Sequence, residues 1–212
     1  MSSSTTSEKE TITVIEAKAI ELLRTLVGFD TTSYKSNLEL IEFIQSYLTN
    51  YGIQSTLVHD ESGKKANLYT TIGRTDIGGI MLSGHTDVVP VADQNWNTDP
   101  FCLIESDDKL YGRGSADMKG FIALVLSRVP DMLSANLSKP IHLAFSYDEE
   151  VGCIGVQRLL DLLEQQPIKP SCCIVGEPTS MEVVIGHKGK CARRVQVRGH
   201  ACHSGQSPFG VN

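Results

Sequence analysis

The chain has 212 residues, enough for one large domain or for one domain with part of another. Its 41% hydrophobic and 21% charged residues suit a protein with a sizeable core. Twenty-five acids against nineteen Lys and Arg leave a net charge of −6, which argues against nucleic acid or an anionic membrane as partner.

No apolar run approaches the ~20 residues of a membrane span. The opening MSSSTTSEKE has neither a signal-peptide apolar core nor the arginines of a transit peptide. Residues 1–12 therefore read as a disordered leader, and the protein as cytoplasmic. From 13 to 27 apolar residues recur at helical spacing. A second helix is expected from Ser36, as N-cap, to Asn50, with Tyr51-Gly52 ending it. IQSTLVH and ANLYTTIG read as strands, and GGIMLSG as a buried central strand. A polar loop follows from Thr86 to about Leu110. A helix is expected from Met118 to Val129, then the buried strand IHLAFSY, a helix over 156–164, and the buried strand SCCIVG.

Strands alternating with helices predict an α/β domain with a mixed, largely parallel sheet flanked by helices. After Glu177 the texture changes. MEVVIG and CARRVQVRG read as a strand pair, and a boundary falls near Gly186, so that 13–186 form one domain and 187–212 the beginning of another. The six cysteines (Cys102, Cys153, Cys172, Cys173, Cys191, Cys202) form no C-x-x-C pair and read as buried free thiols.

In an open α/β sheet, ligands bind beyond the carboxyl ends of the strands. IMLSG runs into His85-Thr86-Asp87, YGRGSAD brings Asp117 to the mouth of a helix, LAFSY runs into Asp148-Glu149-Glu150, and CCIVG runs into Glu177. Taken singly, His85 reads as structural, Asp117 as an N-cap, Glu149 and Glu150 as solvated, and Glu177 as a turn acid. Packing does not explain their joint placement, and a shared cation site does. Crowded carboxylates raise one another's pKa unless a cation compensates them, and a His-with-carboxylate set suits zinc or a similar metal. Asp87, two residues after His85, is placed to accept a hydrogen bond from the ring nitrogen that does not face the metal. His59 and His142 sit in strands and read as structural, His187 and His200 as surface residues. His203, in GHACHSGQSP, stays undecided on spacing alone.

SGHTDVVP, LYGRGSADMKG, SYDEEVGCIG, VGEPTS, HKG and GHACHSG occur in the order seen in the zinc-dependent aminoacylase and carboxypeptidase-type metallopeptidase family, and the chain resembles that family from residue 13 to 212. The resemblance implies a zinc-exopeptidase-like catalytic domain, an inserted lid or dimerisation domain of α+β type, a homodimer, and two metal ions, usually zinc with cobalt or manganese as substitutes. It implies that His85 and Glu177 hold the first ion, Asp117 bridges both and Glu150 holds the second. It makes Glu149 the general base and acid, Asp87 the residue orienting His85, and His203 the lid histidine that steadies the oxyanion. Asp148 receives no role. The implied substrate is a small N-acylated amino acid. Removal of an acetyl group is the first expectation, with dipeptidase, aminoacylase or desuccinylase activity as alternatives. Complete members supply a further histidine to the second metal from a later segment. A chain ending at Asn212 is therefore expected, on its own, to bind one metal weakly and catalyse little, or to act only as a metal-binding fragment.

Overall fold

The computed structural model describes residues 3–186, 188, 189, 191, 193–196, 198–200, 202 and 203, with only the backbone described for 3–15. It divides into two compact units, Met1–Pro178 and Thr179–Asn212, so the division falls ahead of Gly186.

In the first unit, helices α1 (Ser3–Gly28) and α2 (Leu38–Asn50) precede strands β1 (Thr56–His59), β2 (Ala66–Ile72) and β3 (Ile80–His85). A small hairpin, β4 (Ile104–Ser106) and β5 (Lys109–Tyr111), comes next, followed by a kinked turn (Ser115–Lys119) and helices α3 (Gly120–Ser127) and α4 (Val129–Ser134). Strand β6 (Ile141–Ser146), helix α5 (Val156–Glu164) and strand β7 (Cys172–Val175) complete it. The main sheet has the order β1-β2-β6-β3-β7. β1 and β2, and β2 and β6, pair antiparallel, whereas β3 pairs parallel with both β6 and β7. The sheet is mixed as expected, and its parallel half carries the centre described below.

Alternation along β6 sets the two faces of the sheet. Leu143 and Phe145 enter the main core with Leu22, Leu26 and Val27 of α1, Leu40, Ile41 and Ile44 of α2, and Ile122 and Leu126 of α3. Each such side chain, fully buried, contributes about 1.5–3 kcal/mol. Ala144 faces the other way, into a smaller cluster with Met81 and Leu159 of α5. On that face His142 is buried, and its Nδ1 lies 2.9 Å from both Tyr69 Oη and Thr71 Oγ1.

Several expectations are corrected. Backbone helix begins at Ser3, inside the stretch read as a leader. The residue before α2 is Asn37, not Ser36, and its side chain makes no cap bond. Asn37 instead donates to the Ala66 carbonyl and Thr86 Oγ1, both at 2.9 Å, because a buried amide there links three segments. The long polar loop contains the β4–β5 hairpin, whose three-residue strands are too short for a visible alternation. The 118–129 helix is split at Arg128 into α3 and α4, with Pro130 in the first turn of α4, where its missing N–H costs no bond.

All six cysteines are exposed, not buried. Cys172 and Cys173 lie on β7, which among the described residues is an edge strand paired on one side only, and where Ile174 and Val175 are also exposed. Among the described residues of the second unit no strand forms over MEVVIG or CARRVQVRG. A lone two-stranded pair is marginal in water without a third strand or a packed helix. His187, and Ala201 and Ser204–Asn212 of the last motif, lie outside the described residues. Among the described residues no helix is long and apolar enough to cross a membrane.

Candidate metal centre

Three neighbouring parallel strands end at one place. His85 closes β3 in register with Ser146, the last residue of β6. Beyond Ser146 the chain turns through Asp148, Glu149 and Glu150. On the other side of β3, β7 ends at Val175 opposite Ser83, and Gly176 N–H donates to the Ser83 carbonyl at 3.1 Å, which brings Glu177 level with His85. Asp117 does not come from a strand of this sheet. It lies in the kinked turn ahead of α3, with non-helical backbone (φ −122°, ψ 96°) and a cis peptide to Met118. The residue before α3 is Lys119, so Asp117 is not that helix's N-cap.

His85 is buried, and its Nε2 lies 3.0 Å from Asp117 Oδ1 and 3.5 Å from Glu177 Oε1. The other ring nitrogen, Nδ1, donates to the Asp87 carbonyl at 2.9 Å and lies 3.5 Å from the Asp87 carboxylate. The expected orienting contact is therefore made first by the main chain of Asp87. Its buried carboxylate has further partners: Ser33 Oγ donates at 2.7 Å, Glu149 N–H at 3.0 Å and Glu150 N–H at 3.2 Å. One carboxylate thus ties the H-T-D turn to the D-E-E turn. No spacing rule signals this, because the partners are backbone N–H groups 62 and 63 residues away.

Ligand atoms of His85, Glu149 and Glu177 lie within 4.8 Å of one another, as do those of His85, Asp117 and Glu150. The electrostatics match a site built around positive charge. Burial opposes protonation of His85, but Asp87, Glu177 and Asp117 outweigh it and push the imidazole up to about 9. Burial, then the charge of Asp117, raises Glu150, and burial with Asp117 and Glu149 raises Glu177 against the pull of His85. Burial would raise Asp87 as well, yet the contacts from His85, Ser33 and Glu149 N–H hold it low. One imidazole nitrogen and four carboxylates, three of them from strand exits of the sheet and Asp117 from the turn ahead of α3, fit a divalent cation of borderline softness such as zinc.

Five of the seven site residues named from the sequence converge here, and Asp87 stands directly behind His85. His203 lies in the second unit, where it is exposed. Lys119 carried no signal in the sequence. It is fully buried, and its Nζ donates to the carbonyls of Leu26 at 2.9 Å and Phe29 at 2.7 Å, closing the C-terminal end of α1 two residues after Asp117. Burial pushes its ammonium down to about 7, against the attraction of Asp30 and Asp87.

The family model for peptidase family M20/M25/M40 matches residues 81–212, the stretch that carries every residue of this centre. The chain belongs to that family. It is 36% identical over 189 residues to an acetylornithine deacetylase of Pasteurella multocida, covering 89% of this chain and 48% of that protein. It is also 36% identical over 201 residues to an acetylornithine deacetylase of Shigella sonnei, covering 91% and 51%. The chain thus spans about half the length of the curated relatives it matches. Among solved structures, human carnosine dipeptidase 1 superposes with a TM-score of 0.64 at 23% identity, over 79% of this chain and 40% of that one. An M20 family metallo-carboxypeptidase of Sulfolobus solfataricus gives 0.65 at 20% identity, over 75% and 37%. At that identity these two establish the fold alone. The M20 family is one of hydrolases, and the mixed sheet with flanking helices is its architecture.

Proposed function

We propose that the protein is a metal-dependent amide hydrolase that removes the acetyl group from N2-acetyl-L-ornithine, yielding ornithine and acetate in arginine biosynthesis in the cytoplasm. The convergence of His85, Glu149, Glu150 and Glu177 at the ends of parallel strands with Asp117 of the turn ahead of α3 carries this reading. The named relatives supply the substrate. In this reading His85, Asp117 and Glu177 hold one zinc, and Asp117 with Glu150 holds a second. Such ions, when bound, supply Lewis acidity for water activation and carbonyl polarisation.

The chain's own residues do the rest. Glu149 accepts the proton of the attacking water as the new C–O bond forms on the acetyl carbon, and returns it to the nitrogen as the C–N bond breaks. Asp87 fixes the ring of His85 so that Nε2 faces the carboxylates. By the family resemblance, residues 187–212 begin a lid and dimerisation domain, and His203 is the residue proposed to steady the developing oxyanion.

The test combines zinc titration of the purified chain with a substrate panel of N2-acetyl-L-ornithine, an N-succinyl amino acid and dipeptides, read as release of free amine. The expected result is zinc binding lost in His85→Ala and a preference for the acetylated substrate. In a complete enzyme, Glu149→Gln is expected to keep its zinc and lose turnover. Preference for a dipeptide overturns the substrate, turnover by Glu149→Gln overturns the base, and zinc bound without turnover on any substrate leaves a metal-binding protein only.

A further inference from the structure

Asp148 is the acid of the D-E-E turn with no place in the centre, and its surroundings explain it. Lys65, the residue before β2, places its ammonium on both the Asp148 carboxylate and the Ser33 carbonyl. The ion pair is well covered, the two side chains being 14% and 16% exposed, so solvent screens it less than a surface pair. Ser33 in turn donates its hydroxyl to Asp87 Oδ2 at 2.7 Å, and Asp87 receives the N–H groups of Glu149 and Glu150. These contacts form a closed ring: Asp148 to Lys65, Lys65 to Ser33, Ser33 to Asp87, and Asp87 back to the two residues after Asp148.

Resting on the reading of this centre as a metal site, we propose that Ser33 and Lys65 are positioning residues whose ring of contacts sets the Asp148–Glu150 turn and aims Glu149 and Glu150 at His85. Two observations require such a clamp. Asp148 has φ 55°, a left-handed conformation that a residue with a Cβ adopts at a cost unless its surroundings hold it there. The turn also carries three consecutive carboxylates, and Lys65 is the cation that neutralises Asp148, the one of the three that is not among the clustered ligand atoms. Without it, repulsion favours opening the turn, which moves both glutamates. Ser33 is the joint of the ring, because its carbonyl serves Lys65 while its hydroxyl serves Asp87. Neither residue reaches the ligand cluster itself.

The experiment measures zinc affinity of the 212-residue chain by competition with a chelator, zinc alone being the probe. Far-UV circular dichroism and thermal unfolding of the metal-free form run alongside. Lys65→Met and Ser33→Ala are expected to bind zinc about tenfold or more weakly, the size of loss seen when groups behind metal ligands are removed, and Lys65→Arg to recover most of it. Wild-type affinity in folded Lys65→Met and Ser33→Ala overturns the proposal, even where unfolding temperatures fall, since that pattern marks a purely structural contact. If Lys65→Met does not fold, Ser33→Ala, which loses one hydroxyl, decides. His85→Ala run in parallel separates the two levels: unchanged zinc affinity there removes the metal reading and this proposal together. Loss of affinity in His85→Ala with none in the ring variants removes the proposal alone.

Discussion

Gly176 sits between β7 and Glu177, with the ring of Phe121 laid directly on its Cα. A Cβ built there stands 2.0, 2.2 and 2.4 Å from Cγ, Cδ2 and Cδ1 of Phe121. Carbon atoms in contact prefer about 3.5–4.0 Å. Gly176→Ala therefore requires either the ring or the strand end to retreat by roughly 1.5 Å. The strand end is tied, since Gly176 N–H donates to the Ser83 carbonyl, and the overlapping ring atoms are those nearest the Phe121 backbone. Overpacking of this kind costs about 1–3 kcal/mol. Because Glu177 follows immediately and its Oε1 lies 3.5 Å from His85 Nε2, part of the displacement reaches the centre.

Urea denaturation of the wild type, Gly176→Ala, Phe121→Ala and the double variant measures the effect as a cycle. The single glycine change is expected to lower stability by about 2 kcal/mol, and the double variant to be more stable than the sum of the singles by about 1 kcal/mol or more. Zinc affinity is expected to fall in Gly176→Ala and to recover in the double variant. Additivity within about 0.5 kcal/mol refutes the argument, because two groups competing for one volume cannot act independently.

Asp87→Asn keeps the shape of a buried acceptor but turns one oxygen into a donor. With Glu149 N–H on Oδ1 and Glu150 N–H on Oδ2, one backbone donor must lose its acceptor whichever way the amide turns. That unsatisfied group costs about 1–3 kcal/mol, readable by denaturant titration, and a variant as stable as the wild type contradicts the assigned contacts. His142 gives a pH prediction. Burial lowers its pKa below the ordinary 6.5, so as pH falls below that value the unfolded chain takes up a proton that the folded chain refuses, and stability is lost. His142→Gln is expected to remove this component, flattening the fall of the thermal midpoint below about pH 6.5, while above it the two pH profiles run parallel. Identical slopes in the acid range exclude the assignment.

The elements and the ligand types were legible along the chain because both rest on local signals. Helical spacing marked α1 over 13–27, cap and stop signals marked α2, and short continuous apolar runs marked the buried strands β3 and β6. The histidine and the acids of the D-E-E turn and Glu177 stood out because each follows an apolar run, where packing has no use for charge, and Asp117 because it stands at the mouth of a helix. Tertiary structure decided what sequence distance hides. The ring through Ser33, Lys65, Asp87 and Asp148 joins residues from four separate segments, and three of its five hydrogen bonds use backbone groups that every sequence possesses. β7 looks like a central strand in sequence, since CCIV is apolar throughout, yet its order in the sheet leaves it at an edge with its cysteines exposed. The strand pair expected beyond Met181 depends on partners rather than on its own alternation. The sequence by itself determined which residue types gather at the strand ends. Only the fold decided which carboxylate is clamped, which is shielded and which face His85, because charge interactions depend on distance and burial, and neither is encoded locally.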